Sequence, residues 1–125
     1  MIVRRTILAG LLAMLAMPAT AQSVKLQNHE ITALLSGNTA VGTWDGVNYR
    51  QYFDPDGTTI YAAEGLRSTS GEWRVQNDTY ESIWQNDAEW EGWFVMEFGG
   101  DFYWVSKATP PTLFTLLSGE QMVAN

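Results

Sequence analysis

Polar and apolar residues alternate along residues 71–76 and 79–85: Trp73 and Val75 stand between Glu72, Arg74 and Gln76, and Tyr80 and Trp84 stand against Thr79, Glu81 and Gln85. A period of two marks a half-buried strand. Runs rich in β-branched and aromatic residues recur at 39–45, 48–53, 58–63, 92–98, 102–107 and 112–117, with a last short one at 121–123. The connectors Asp45-Gly46, Asp54-Pro55-Asp56-Gly57, Asn77-Asp78, Gly99-Gly100-Asp101 and Ser118-Gly119 carry the residues that tight turns need. Short connectors in series make successive strands antiparallel neighbours, and closure shelters their edges. The predicted fold is therefore mainly β, an antiparallel meander closing into a small barrel or a sandwich. Only residues 28–36 break the pattern: Ile31, Leu34 and Leu35 fall at i, i+3 and i+4, Asn28 can cap the first turn, and Gly37-Asn38 supply a left-handed stop. One short N-terminal helix is predicted, docking its apolar face on the sheet and plugging one end of it.

Alternation fails in the hairpin 92–107. Phe94, Met96 and Phe98 fall on one face and Trp93 and Val95 on the other, while Phe102 and Trp104 are split from Tyr103 and Val105. Such a hairpin is either covered on both faces, for instance by the helix, or it exposes an aromatic patch, and cover is the favoured alternative. If the hairpin is exposed, Trp90, Trp93, Tyr103 and Trp104 are the candidate binding residues.

Ahead of the domain, Arg4 and Arg5 precede an apolar run from Ile7 to Met17 that ends in Pro18 and the small residues Ala19-Thr20-Ala21. These are the three regions of a secretory signal peptide, with cleavage expected near Ala21. The run is shorter than the roughly 20 residues that a membrane span needs. No membrane anchor is expected, and a chain without Cys offers no site for a lipoprotein lipid. Residues 22–27 read as a flexible leader and residues 28–125 as a single β-rich domain, periplasmic or secreted. Fourteen acids against seven bases give a formal net charge of −7, and two of the bases lie in the signal peptide. Nucleic acid and anionic membranes, which are held by dense Lys and Arg contacts, are poor partners for such a surface. A secreted domain without Cys lacks the disulfides that small exported domains often use. Its stability must come from packing six Trp, five Tyr and five Phe.

The stretches Gly37-Asn38-Thr39, Gly42-Thr43-Trp44-Asp45-Gly46, Tyr49-Arg50-Gln51-Tyr52-Phe53, Asp56-Gly57-Thr58, Gly71-Glu72-Trp73-Arg74-Val75 and Tyr103-Trp104-Val105 together resemble a family of small secreted bacterial proteins of unknown function. The resemblance runs from the helix to about Val105 and implies a periplasmic or secreted β-rich domain, with no activity attached. Similar members often place a Cys pair where this chain has Glu81 and Glu91, so that a covalent staple would here become a like-charge pair if the two positions face each other. The Gly42-x-Trp44 triplet also resembles the opening strand of a lipocalin-type barrel, which implies that Trp44 closes one end of the core.

Asp54-Pro55-Asp56-Gly57-Thr58 begins like a calcium loop, but Ile60 and Tyr61 stand where further oxygen ligands are needed, so a hairpin turn and no metal are expected. The densest carboxylates, Glu81, Asp87, Glu89 and Glu91, are interleaved with Trp84, Trp90 and Trp93. Paired acids beside aromatic platforms are glycosidase material. A solvated acidic loop is the favoured reading, because so short a chain frames little of a cleft. With His29 the single His and no Cys, Ser-His and Cys-His nucleophile pairs lack members. Arg50 and Arg74 are expected to stack on Tyr49, Tyr52 or Trp73, or to pair with Glu72 or Asp45. Asn77-Asp78-Thr79 fits a glycosylation sequon but reads as a turn. The resulting expectation is an exported monomeric binding or interaction domain, without catalysis or cofactor, whose partner is a protein or small-molecule ligand of the cell envelope. A small carboxylate-dependent hydrolase using Glu81 and Glu91, or an inhibitor of a secreted enzyme, are the alternatives.

Overall fold

The structure, a computed structural model, describes residues 22–123. The expected signal peptide, residues 1–21, lies outside the described residues. In chain order the elements are β1 (Val24–Lys25), α1 (Asn28–Leu35), β2 (Thr39–Trp44), β3 (Val47–Phe53), β4 (Thr58–Ala63), β5 (Thr69–Gln76), β6 (Thr79–Trp84), β7 (Glu91–Phe98), β8 (Asp101–Val105) and β9 (Thr112–Leu117). From β2 to β9 every strand pairs antiparallel with its sequence neighbours, and β9 returns to β2, with Thr39 opposite Leu117 and Gly42 opposite Phe114. The result is a closed eight-stranded barrel, not a sandwich. Turn chemistry fixes the register: Trp44 pairs with Val47 around Asp45-Gly46, and Gln76 with Thr79 around Asn77-Asp78, all four turn residues at positive φ. Two-residue turns of this hand match the right-handed twist of the strands they join.

The alternation along each strand now has a direction. Ala40, Gly42 and Trp44 face inward from β2 and pair across to Gln51, Tyr49 and Val47 of β3. Phe53, Trp73, Tyr80, Val95, Trp104 and Phe114 meet in the interior, with Phe53, the central ring, fully buried and 5.5 Å from the Trp73 ring centre. One end of this interior is sealed by α1, which lies against β5 and β6 and inserts Ile31 and Leu35, both 0 % exposed. Its cap is Gln27, whose backbone N–H donates to Glu30 Oε1 at 2.8 Å. Asn28, expected as the cap, instead latches the helix to the β5–β6 turn: its N–H donates to Asp78 Oδ1 at 2.8 Å and its Oδ1 accepts from the Asp78 N–H at 2.6 Å.

Several expectations need correction. The leader 22–27 is tied down, because Val24 and Lys25 pair with Glu97 and Met96 of β7 beyond the point where β6 ends, and Leu26 is 5 % exposed in the core. Residues 121–123 form no strand: β9 is already flanked by β8 and β2, so no edge is free for them. They fold over the outside of β2 instead, where the Gln121 N–H donates to Thr39 Oγ1 at 2.9 Å and Arg50 donates to the Gln121 carbonyl. The helix does not cover the β7–β8 hairpin. Trp93, Val95, Phe102 and Trp104 are covered by the barrel's own interior, whereas Phe94, Met96, Tyr103 and Val105 face outward and half-buried, with Lys25 Nζ 4.3 Å above the Phe94 ring. The Asp54-Pro55-Asp56-Gly57 segment is the expected turn. Asp56 accepts the Thr58 N–H at 2.8 Å, a bond that lowers its pKa, and Asp54 accepts the Asp56 N–H at 2.9 Å.

Candidate functional site

The barrel end opposite α1 is framed by the Asp45-Gly46 turn and the loops 64–68, 85–90 and 106–111. Between them opens a cavity of about 340 Å³, near the lower limit of pockets that hold small molecules. Two inward glycines make room for its walls. A Cβ on Gly42 would lie 3.0 Å from the Tyr49 hydroxyl, and one on Gly71 would lie 2.7 Å from the Trp84 ring and 2.5 Å from the Ile83 carbonyl. In each case the aromatic stands directly across the strand pair and lies over the glycine. Tyr61 stacks on Tyr49 with ring centres 5.3 Å apart, and meets Trp84 edge-on at 6.0 Å. Across the mouth, Trp44 and Trp93 form a T-shaped pair at 5.4 Å. Trp44 thus lines an open mouth and does not close the core.

The floor is polar and buried. Trp104 Nε1 donates to the Tyr49 hydroxyl at 3.0 Å. Gln51, 7 % exposed, uses its Nε2 to donate to Thr59 Oγ1 at 3.0 Å and to the Tyr80 hydroxyl at 2.8 Å. Thr59 directs its own proton to the Tyr52 carbonyl at 2.8 Å, so toward Gln51 it acts only as an acceptor. That fixes the orientation of the amide. Among the described residues no donor reaches Gln51 Oε1 and no acceptor takes the Tyr49 hydroxyl proton, whereas the Tyr80 hydroxyl has the Ser82 hydroxyl beside it. Burial pushes both phenols up to about 12, against the Trp104 N–H at Tyr49 and the Ser82 and Gln51 donors at Tyr80. Both therefore stay neutral at ordinary pH. A buried polar group without a partner costs free energy comparable to a lost hydrogen bond, and an occupant that supplies the partner recovers it.

The residues expected to bind are divided by the barrel wall. Trp93 and Trp104 line the cavity, Tyr103 points outward, and Trp90 sits in the β6–β7 loop with the Arg74 guanidinium 3.9 Å above its ring. The acidic cluster is divided too. Glu81 faces outward and pairs with Arg74 at 2.6 Å, so Arg74 finds Glu81 and Trp90 where Glu72 and Trp73 were expected. Asp87 accepts the Trp84 N–H at 2.9 Å to close the loop, Glu89 is exposed, and Glu91 faces inward at the mouth. Glu81 stands opposite Gly92, and Glu91 opposite Ser82. The two carboxylates lie on opposite faces of the sheet, so they neither repel across the hairpin nor share a substrate. Among the described residues no group of three His, Asp or Glu is placed to hold a metal.

Tyr49, Gln51, Tyr61, Thr69, Tyr80 and Ser82 also line the cavity and were not among the candidate binding residues; Trp44 and Trp84, which join them, were expected as a core plug and as a ring beside the acidic cluster. A signal for them exists in Tyr49-x-Gln51-x-Phe53, which places an amide on the inward register of a strand between two aromatics. Comparison of this chain with protein-family models, with curated proteins and with solved structures finds no match.

Proposed function

We propose that this chain is an exported, non-catalytic binding domain of the cell envelope that holds a small organic ligand in the open end of its barrel. The observation that carries the reading is the cavity with an unpartnered Gln51 carbonyl on its floor: aromatic walls supply apolar contact and a few buried polar atoms fix orientation, the usual make-up of a small-molecule site. The outer face of the β7–β8 hairpin is then not the site, and Trp93 and Trp104 act from inside. The separation of Glu81 from Glu91 favours binding over the hydrolase alternative.

The test is a titration of the mature chain with small phenols and anilines, followed by tryptophan fluorescence and by thermal stabilisation. Saturable binding that disappears in Thr69→Phe, which places a ring in the mouth from an exposed position, is the expected result. Absence of saturable binding across the series, or binding indifferent to Thr69→Phe, removes the cavity from consideration. For export, envelope fractions of expressing cells should contain a chain beginning near Gln22; recovery of the uncut chain from the cytoplasm alone contradicts it.

A further inference from the structure

We infer that the ligand of this cavity is a small organic cation, an ammonium carried on an apolar body with a hydrogen-bond donor at its inner end; the inference rests on the binding reading above and adds its charge class. Glu91 is the one charged side chain that lines the cavity among the described residues. It stands two residues from Trp93 on the inward face of β7, so a charge held at the mouth meets the carboxylate and the indole together. The surrounding loops carry Asp45, Glu64, Asp87 and Glu89 against Arg67 and Lys107. Arg74, on β5 beyond β6, is held on the outer face of the barrel by Glu81 and Trp90. A carboxylate or phosphate entering here sheds water beside Glu91 with no lining base to receive it.

The walls favour the same charge. Trp44, Trp93, Tyr61 and Trp84 meet edge-on, so rings present faces as well as edges to the space between them. An aromatic face attracts a cation, most strongly where water is excluded, and cages of several rings are the usual receptors for quaternary ammonium groups. Negative potential reaches into the cavity: the Asp45 charge adds to burial in raising the Tyr61 phenol, and the Glu91 charge adds to burial in raising Tyr80. Deeper in, Gln51 Oε1 is an acceptor awaiting a donor, which selects for a hydroxyl or N–H at the ligand's inner end.

Three meta-substituted phenols separate the possibilities: (meta-hydroxyphenyl)trimethylammonium, its uncharged isostere meta-tert-butylphenol, and the smaller, planar meta-hydroxybenzoate as the anion. Dissociation constants are measured on the mature chain by calorimetry and by tryptophan fluorescence. The cation should bind about tenfold or more tightly than the neutral isostere, with the anion weakest, and Glu91→Gln should bring cation and isostere to near parity. Equal or tighter binding of the isostere, or a cation preference untouched by Glu91→Gln, overturns the charge assignment while leaving the cavity as a binding site. If none of the three binds, the assignment falls together with the reading on which it rests.

Discussion

The two ends of the barrel are built from one alternating pattern and end in opposite states. At the α1 end, Ile31, Leu35, Phe53 and Val95 are all 0 % exposed, and Trp73, whose ring meets Phe53, has its Nε1 paired with the Asp54 carbonyl at 2.8 Å. At the other end no helix is seated among the described residues; Trp44, Tyr61, Trp84 and Trp93 remain half-exposed around a cavity, above a floor where the Gln51 amide and the Tyr49 phenol keep unused hydrogen-bonding capacity. The difference teaches that the barrel alone does not make a core. Eight strands enclose an interior wide enough either to be filled by side chains or to hold one small ligand, and a helix with three apolar residues closes one end of it into packed protein.

The sharpest way to break this comparison is to truncate one ring at each end. Phe53→Ala removes a fully buried ring that meets Trp73, Tyr80 and Trp104, and should cost about 3–5 kcal/mol in urea unfolding. Trp84→Ala removes a larger ring whose outer part is already in water, and should cost less, about 1–2 kcal/mol. Equal losses at the two positions mean that the open end is packed as tightly as the closed one.

Much of this division was legible in the sequence, and the illegible part has a physical cause. Alternation in 71–76 and 79–85, with turn residues between, fixed which side chains share a face, and Ile31, Leu34 and Leu35 marked the helix as a plug. Closure was not legible, since barrel and sandwich share the same alternation and differ only in whether β9 meets β2. The two-faced hairpin misled because side chains on both faces are apolar, and a closed barrel needs only its inner face covered. The leader misled because its anchoring depends on a gap beside β7 that exists only after β6 has turned away. The pairing of Glu81 with Glu91 was illegible for a simpler reason: they flank one loop, but adjacent strands place residues on the same face only at an even offset in register, and Glu91 is one residue from the position opposite Glu81.

Alkaline titration probes the level where the two ends meet. Burial holds the Tyr49 and Tyr80 hydroxyls at about 12 against an ordinary value of 10.0. Below about pH 10 both are protonated, folded or unfolded, and stability is independent of them. Between about pH 10 and 12 the unfolded chain releases protons that the folded chain retains, so stability should fall, by about 2–3 kcal/mol for each tyrosine. Tyr49→Phe and Tyr80→Phe should each remove their own part of that fall, measured as urea midpoints across the range. Tyrosinate absorbance from these two residues near pH 10 in the folded chain would mean a floor open to water, and the contrast between the ends would shrink accordingly.

Gly71→Ala asks how closely the aromatic wall is fitted. The added Cβ meets a backbone carbonyl at 2.5 Å and the Trp84 ring at 2.7 Å, and the carbonyl cannot swing away as a flexible side chain can. A loss of about 1–3 kcal/mol is expected, with Trp84 pushed from its place over the glycine. Its fluorescence should shift along with the stability; a neutral substitution would show a wall loose enough to take up the methyl group.

The smallest effect concerns the latch between the plug and the β5–β6 turn. Asp78→Gly deletes the carboxylate that accepts the Asn28 N–H but also relieves a non-glycine residue at φ 56°, so the single variant conceals the bond behind an opposing gain. Asn28→Ala deletes the other bond, in which Asn28 Oδ1 accepts the Asp78 N–H, without altering φ at 78, and should cost about 1 kcal/mol in urea unfolding. The double variant decides whether the ends act independently. With the latch gone, amide exchange should quicken at Ile31 and Leu35, while affinity of the phenol probes for the open cavity stays as it was. A fall in that affinity would mean that Tyr80, which touches Phe53 on one side and Gln51 on the other, transmits loosening of the plug to the cavity floor.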